Sequence, residues 1–140
     1  HTRYISVTGV QTCALPISKS DYMGPVFVDT KKRELDIFNG FFVKVNEEEY
    51  NNRSTSSLKT IITLGSRGAK YNDDVYPTPE VEMHDVCGAG DTFLAALVYK
   101  YLQTSIIEKA IIFANKAAAI SVQHVGVYVL TKEDIDEIER

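Results

Sequence analysis

The chain has 140 residues, of which 44% are hydrophobic and 24% are charged, a composition typical of one globular domain. Its net charge of -4 argues against a nucleic-acid-binding protein, because neutralising phosphates needs a basic surface that this sequence lacks. No apolar run approaches the roughly 20 residues of a membrane span, and two cysteines are too few for a disulfide framework or a metal cluster. We therefore expect a cytoplasmic protein without nucleic-acid or membrane partners.

The stretch from Val7 to Ile17 shows no sustained helical or strand period, and it lacks the cationic start and long apolar centre of a signal peptide. The same stretch closely resembles the in-frame translation of a sequencing adapter. We therefore interpret residues 1–18 as an artefact and expect the natural gene to continue upstream. A natural N-terminal strand and loop is the alternative. The fold prediction then concerns residues 19–140.

Buried strands are predicted at residues 25–29, 41–45 and 59–64, because each is a short apolar run bounded by polar residues or glycine. Asn46 and the glutamates after it are typical of a helix start, since Asn is a good N-cap and acids suit the positive helix end. A returning strand is expected over residues 69–75, with a tight turn at 72–74. Pro77 and Pro79 exclude a central strand beyond it.

Three helices are predicted in the second half of the chain. The first opens at Gly88–Asp91 and runs to about Gln103, and the second is capped by Thr104 or Ser105 and runs to about Val122. The last helix starts at Thr131. Asp134, three residues later, is the acidic residue of a motif related to the capping box. Strands followed by helices, with apolar runs rather than strict alternation, predict an α/β layered sheet.

The most specific chemical signal is the stretch DVCGAGDTF from Asp85 to Phe93. Two glycines at a helix start allow close backbone approach, and the free N–H groups of the first turn favour an anion there. The carboxylate of Asp91 beside such an anion site is suited to accept a proton from an attacking hydroxyl. The alternative is a plain helix N-cap with a glycine-rich turn.

The whole stretch resembles the signature D-T-x-G-A-G-D of the ribokinase (PfkB) family, with Val86 in place of the usual Thr. The resemblance implies that Asp91 is the catalytic base. It also implies that the backbone of Gly88, Ala89, Gly90 and Asp91 forms the anion hole for the transferring phosphoryl group. His84 is expected at the surface, and Asp85 lies where some members of the family bind a monovalent cation.

The segment KVNEEE, from Lys44 to Glu49, resembles the N-x-x-E motif of the same family, although Val45 replaces a frequent Pro. The resemblance implies that Asn46 and Glu49 support Mg²⁺, largely through water, which agrees with the preference of Mg²⁺ for oxygen ligands and retained waters. The alternative is a solvated helix start, for which consecutive glutamates are common.

Two further segments resemble nucleotide-binding parts of the family. TLGSRGA, from Thr63 to Ala69, resembles the T-L-G-x-x-G turn beside ATP, which implies nucleotide binding by Thr63, Gly65 and Gly68; a plain hairpin turn is the alternative. Asn115 resembles the Asn that lies against the adenine site. A buried Asn in an apolar helix face needs a partner, and an exposed or simply hydrogen-bonded Asn is the other interpretation.

The resemblance implies an α/β fold, namely the C-terminal portion of a ribokinase-like three-layer sandwich, with residues 19–140 as a partial kinase domain that carries the ATP-binding and catalytic-base half. It implies ATP and Mg²⁺ as cofactors and a small-molecule sugar or sugar phosphate as acceptor, and it leaves open a homodimer of the full-length protein. The Asp29-Thr30-Lys31 segment resembles D-P-K of heptose-phosphate kinases. A kinase for a nucleoside or vitamin alcohol, and a non-catalytic nucleotide-binding fragment, are the alternatives. We expect the truncated chain to be inactive alone.

Overall fold

The computed structural model describes residues 3–5, 24–31, 33–54 and 59–140. These residues form two compact units. The first unit takes in the described residues up to Thr63 together with Tyr71–Asp73, and the second takes in Leu64–Lys70 and Asp74–Arg140. Within the described residues, no helix is both long and apolar enough to span a membrane.

The first unit is built on a mixed sheet whose strands lie in the order β1 (Arg3–Ile5), β2 (Phe27–Asp29), β3 (Phe42–Asn46) and β4 (Thr60–Thr63). β2, β3 and β4 are parallel, and β1 is antiparallel to β2. The strands predicted from the apolar runs are therefore confirmed. The interpretation of residues 1–18 as an artefact stays a prediction, because residues 1–2 and 6–18 lie outside the described residues.

The parallel strands of the first unit are buried on both faces, which is why their sequences are apolar runs rather than alternating patterns. Val28 and Val43 are fully buried on one face of the sheet. On the other face the rings of Phe27 and Phe42 stack, with their centroids 5.1 Å apart. The strands turn polar at their carboxyl ends, at Asp29, Asn46 and Thr63. In open α/β sheets ligands bind at that edge.

The second unit contains three helices and most of a hairpin, of which Tyr71–Asp73 belongs to the first unit. β5 (Ala69–Tyr71) and β6 (Asp74–Tyr76) are joined by the tight turn that the sequence predicts. α2 (Ala89–Thr104) and α3 (Ile107–Ser121) pack against each other, and α4 (Lys132–Glu139) packs on α3. The buried face of α2 carries Phe93, Leu94 and Leu97, and that of α3 is rich in alanine, which lets the two helices approach closely. Full burial of one such leucine stabilises the fold by about 1.5–3 kcal/mol.

The predicted cap of α3 is wrong. α2 continues through Thr104, and Ser105 is its C-cap with a left-handed φ of 55°. The N-cap of α3 is Ile106, which makes no side-chain cap hydrogen bond. The Thr104 hydroxyl instead donates to the Lys100 carbonyl at 2.9 Å and accepts from the Ile106 amide at 3.3 Å. The polar pair therefore serves the end of α2, and α3 begins without a side-chain cap.

Two other helix starts are confirmed as reciprocal capping boxes. α1 (Glu47–Asn51) begins after Asn46, and α4 begins after Thr131. In α4, one oxygen of Asp134 accepts the Thr131 amide at 2.7 Å, the Thr131 hydroxyl at 2.8 Å and the Tyr128 hydroxyl at 2.8 Å. These donors, with the Thr131 amide as the largest cause, lower the pKa of Asp134 below its ordinary value.

Acidification is expected to destabilise the chain through Asp134. Because its folded-state pKa is lowered, its contribution is fully present above the unfolded-state pKa of about 3.9. The contribution is lost as the pH falls through the folded-state value. In urea unfolding between neutral and acidic pH, the free energy of unfolding of Asp134→Asn should therefore fall less with acidification than that of the wild type. The variant should also be less stable at neutral pH. Asp136→Asn, on the same helix, is the matched control, and an equal change in both variants would contradict the role of the capping box.

Candidate active site

The Gly-rich stretch forms the start of α2, as the sequence predicts. Gly88 is the N-cap residue with φ 75° and ψ 0°, a left-handed conformation that favours glycine. Asp91 lies in the first turn of the helix, where it is the acidic residue, and its side chain is exposed. The carboxylate is therefore accessible at the positive end of the α2 dipole.

Some backbone amides at this helix start donate hydrogen bonds within the protein, and others have no acceptor among the described residues. The Ala89 amide donates to the Val86 carbonyl at 3.2 Å, and the Thr92 amide donates to the Gly88 carbonyl at 2.9 Å. Within the described residues, the amides of Gly88 and Gly90 have no acceptor. Of the predicted anion hole, the N–H groups of these two glycines are therefore available for a ligand, while that of Ala89 is engaged.

The loop before Gly88 is tied to the turn that follows α3. The amides of His84 and Asp85 both donate to the Val122 carbonyl, at 2.8 and 3.1 Å. The Asp85 carboxylate accepts the Cys87 amide at 2.9 Å on one oxygen and the Gly126 amide at 2.8 Å on the other. These hydrogen bonds, that of Cys87 first, lower the pKa of Asp85. No pattern in the sequence indicates this connection, since Gly126 is 41 residues from Asp85. His84 is exposed as expected.

Asn46 and Glu49 lie at the carboxyl end of β3 and satisfy each other. Asn46 Oδ1 accepts the Glu49 amide at 2.7 Å, and Glu49 Oε2 accepts the Asn46 amide at 2.8 Å. No described residue donates a hydrogen bond to the other carboxylate oxygen, Glu49 Oε1. One available carboxylate oxygen beside an amide oxygen fits Mg²⁺ held largely through water. In the described part of the chain, no cluster of three or more His, Cys, Asp or Glu could hold a metal ion directly.

Thr63 lies directly opposite Asn46 in the register of β3 and β4. Its hydroxyl donates to the Val45 carbonyl at 3.4 Å. The first unit therefore brings together one residue predicted to bind nucleotide and the two predicted to support Mg²⁺.

Gly65 and Gly68 bound a short 3₁₀ turn, and their surroundings differ. Both have positive φ, 61° for Gly65 and 99° for Gly68. A Cβ at Gly65 would meet nothing within 4 Å, whereas a Cβ at Gly68 would lie 2.0 Å from the Tyr76 carbonyl oxygen. Gly68 is therefore required by the close approach of the chain after β6, while the open space at Gly65 leaves room for a ligand.

Asn115 is 3% exposed in α3 and has partners within the protein. Its amide group donates to the carbonyls of Tyr76 and Pro77, at 2.8 and 3.3 Å. Its backbone carbonyl oxygen accepts a hydrogen bond from the Thr78 hydroxyl at 3.1 Å. The hydrogen-bonded alternative therefore accounts for its burial, and contact with adenine stays a prediction. Asn115 and Gly68 both contact the Tyr76 carbonyl, so the second unit brings these two predicted residues together.

A model of the pfkB family carbohydrate kinases matches residues 34–134, which include every predicted site residue. The chain belongs to the PfkB carbohydrate kinase family. The family expected from the Gly-rich signature is confirmed.

Curated relatives of this PfkB chain include the bifunctional protein HldE of Nitratiruptor, which is 34% identical over 154 residues. The alignment covers 99% of this chain and 33% of that protein. The ribokinase of Bacillus subtilis is 36% identical over 86 residues, covering 57% of this chain and 29% of that protein. The chain therefore spans about a third of the length of the curated relatives that it matches.

Solved structures show the fold. Ribokinase from Thermotoga maritima superposes with a TM-score of 0.68 at 23% identity, covering 86% of this chain and 50% of that one. Aminoimidazole riboside kinase from Salmonella enterica was solved with aminoimidazole riboside and an ATP analogue. It superposes with a TM-score of 0.61 at 23% identity, covering 69% of this chain and 41% of that one. The predicted ribokinase-like α/β fold is confirmed.

Proposed function

We propose that this chain is the ATP-handling and catalytic-base part of a carbohydrate kinase that transfers the γ-phosphoryl group of ATP to a hydroxyl of a sugar or sugar phosphate. The observation that supports it most directly is the start of α2. There the exposed carboxylate of Asp91 follows two glycine amides that have no acceptor among the described residues. Family membership supplies the reaction class, and this geometry supplies the groups that the reaction needs.

The chemistry assigned to these groups is positioning and charge stabilisation. Asp91 accepts the proton of the acceptor hydroxyl as that oxygen attacks the γ-phosphorus. The bond from this phosphorus to the bridging oxygen breaks, and ADP leaves. The amides of Gly88 and Gly90, at the positive end of α2, stabilise the negative charge on the phosphoryl oxygens. Mg²⁺, when bound, would neutralise charge on the nucleotide phosphates, with Asn46 and Glu49 in its outer shell through water.

A sugar phosphate of the heptose type is the acceptor that the sequence favours. The Asp29-Thr30-Lys31 segment resembles D-P-K of heptose-phosphate kinases, and several curated relatives are HldE proteins. A riboside acceptor is the second candidate, because one structural neighbour was solved with aminoimidazole riboside. We place the protein in the cytoplasm, and a homodimer of the full-length protein stays a proposal.

Mg²⁺–ATP binding and kinase turnover test this function together. We expect calorimetry to detect ATP binding to the chain, weakened when Mg²⁺ is chelated. An intact PfkB kinase with the same Gly-Ala-Gly-Asp motif should phosphorylate a heptose phosphate in preference to ribosides in a panel assay. The chain alone should not turn over, because it spans about a third of the curated relatives that it matches. Absence of ATP binding by the folded chain would contradict the assignment of the nucleotide to this part of the protein.

A further inference from the structure

The Asp85 carboxylate connects two segments that are far apart in sequence. Cys87, whose amide bonds one oxygen, is two residues away, while Gly126, whose amide bonds the other, is 41 residues away. Both bonds have short donor–acceptor distances, 2.9 and 2.8 Å, and a carboxylate acceptor makes them stronger than hydrogen bonds between neutral groups. One side chain therefore holds the loop before α2 against the turn after α3.

We propose that Asp85 is a positioning residue of the anion hole: by holding the amides of Cys87 and Gly126, its carboxylate sets the direction of the Gly88 and Gly90 amides. This inference rests on the proposed phosphoryl-binding role of those two glycines. Asp85 itself is assigned no contact with the phosphate or the acceptor.

The path from Asp85 to the glycine amides is short. Cys87 directly precedes Gly88, whose φ of 75° turns the chain into α2. The other side of the connection also reaches Gly88, because a Cβ built on this glycine would lie 3.4 Å from both γ carbons of Val127, the residue after Gly126. Gly88 thus lies between the two segments that the carboxylate joins, and loosening either one changes where its amide points.

The Val122 carbonyl reinforces the same connection but cannot replace it. It accepts the amides of His84 and Asp85, at 2.8 and 3.1 Å, which fixes where the loop begins. The three residues from Val86 to Gly88 are held beyond that point by the Asp85 carboxylate and by the bond from the Ala89 amide to the Val86 carbonyl. The lowered pKa of Asp85 agrees with a carboxylate that is ionised and accepts these amides at neutral pH.

Asp85→Asn is the variant that tests the inference, because it keeps the size of the side chain and leaves one oxygen to accept only one of the two amides. Asp136→Asn is the matched control: it removes the same charge from an exposed position on α4 in the second unit, and Asp136 makes neither of the hydrogen bonds that join the two segments. Amide exchange measured by NMR on the folded chain reports each bond, and inorganic phosphate is the anionic probe.

We expect Asp85→Asn to accelerate amide exchange at Cys87 or Gly126 by about ten- to a hundredfold, the range for losing a hydrogen bond to a charged group. The Gly88 and Gly90 amide signals should shift, and their response to phosphate should weaken at least about tenfold. In an intact kinase of the same motif, kcat should fall while KM for ATP stays near the wild-type value. Asp136→Asn should leave all of these readouts unchanged.

Unchanged Gly88 and Gly90 signals and an unchanged phosphate response in folded Asp85→Asn would overturn the positioning role while leaving the proposed function intact. A second outcome is that the Gly88 and Gly90 amide signals do not respond to phosphate in the wild type but still shift in Asp85→Asn. That outcome would support the connection through Asp85 and contradict the proposed anion hole. If Asp85→Asn does not fold, Asp85→Glu decides by the same readouts, because it keeps the charge and displaces the oxygens by one methylene.

Discussion

Asp91→Asn should lower the turnover of an intact PfkB kinase carrying this motif by about 10²- to 10⁴-fold, the range for losing a general base. The loss corresponds to about 3 to 5 kcal/mol of activation free energy. The amide keeps the size of the side chain and can still accept a hydrogen bond, but it cannot take the proton of the acceptor hydroxyl. Calorimetry should show ATP binding that changes far less than turnover, since the base acts only in the chemical step.

Glu108→Gln is the control for this prediction. Glu108 is an exposed acid in the first turn of α3, so it shares with Asp91 a charge at a helix start. Turnover of the control should stay near the wild-type value if the effect belongs to proton transfer rather than to helix electrostatics. Near-normal turnover of Asp91→Asn would remove Asp91 from the role of base, whatever its binding of ATP.

Gly68→Ala should be the most destabilising single-methyl change among four glycines of positive φ in the second unit, at 65, 68, 88 and 126. The added Cβ would lie 2.0 Å from the Tyr76 carbonyl oxygen and 2.9 Å from two backbone carbons of Pro77, so backbone must move. Backbone strain of about 1–3 kcal/mol adds to an overpacking cost of about 1–3 kcal/mol. We therefore expect roughly 2 to 6 kcal/mol less free energy of unfolding, measured by urea denaturation.

Gly65→Ala separates the two causes. Gly65 also has positive φ, 61°, but a Cβ there meets nothing within 4 Å. This variant should therefore lose only about 1 kcal/mol, the smaller cost of a left-handed alanine. Equal losses in both variants would show that backbone conformation alone, and not the approach of Tyr76, explains the requirement for glycine at position 68.

The sequence predicted well those features that depend on neighbours along the chain. Capping boxes at Asn46 and Thr131 join residues three apart, so the residue types themselves specify the helix starts. β2, β3 and β4 follow from apolar runs, and the α2 start follows from its glycines. The cap of α3 failed for a local reason as well. Thr104 and Ser105 can serve either the end of one helix or the start of the next, and their residue types do not distinguish the two.

The sequence alone determined the family, the order of the strands and helices from β2 onward, and which carboxylate stands in the first turn of α2. Tertiary structure alone decided that Asn115 satisfies carbonyls up to 39 residues away, that Gly68 is required by Tyr76, and that Asp85 holds Gly126 across 41 residues. The physical reason is the range of the interactions. Hydrogen bonds within one turn are encoded by adjacent residues, whereas a partner brought from a distant segment is known only once packing has placed both backbones.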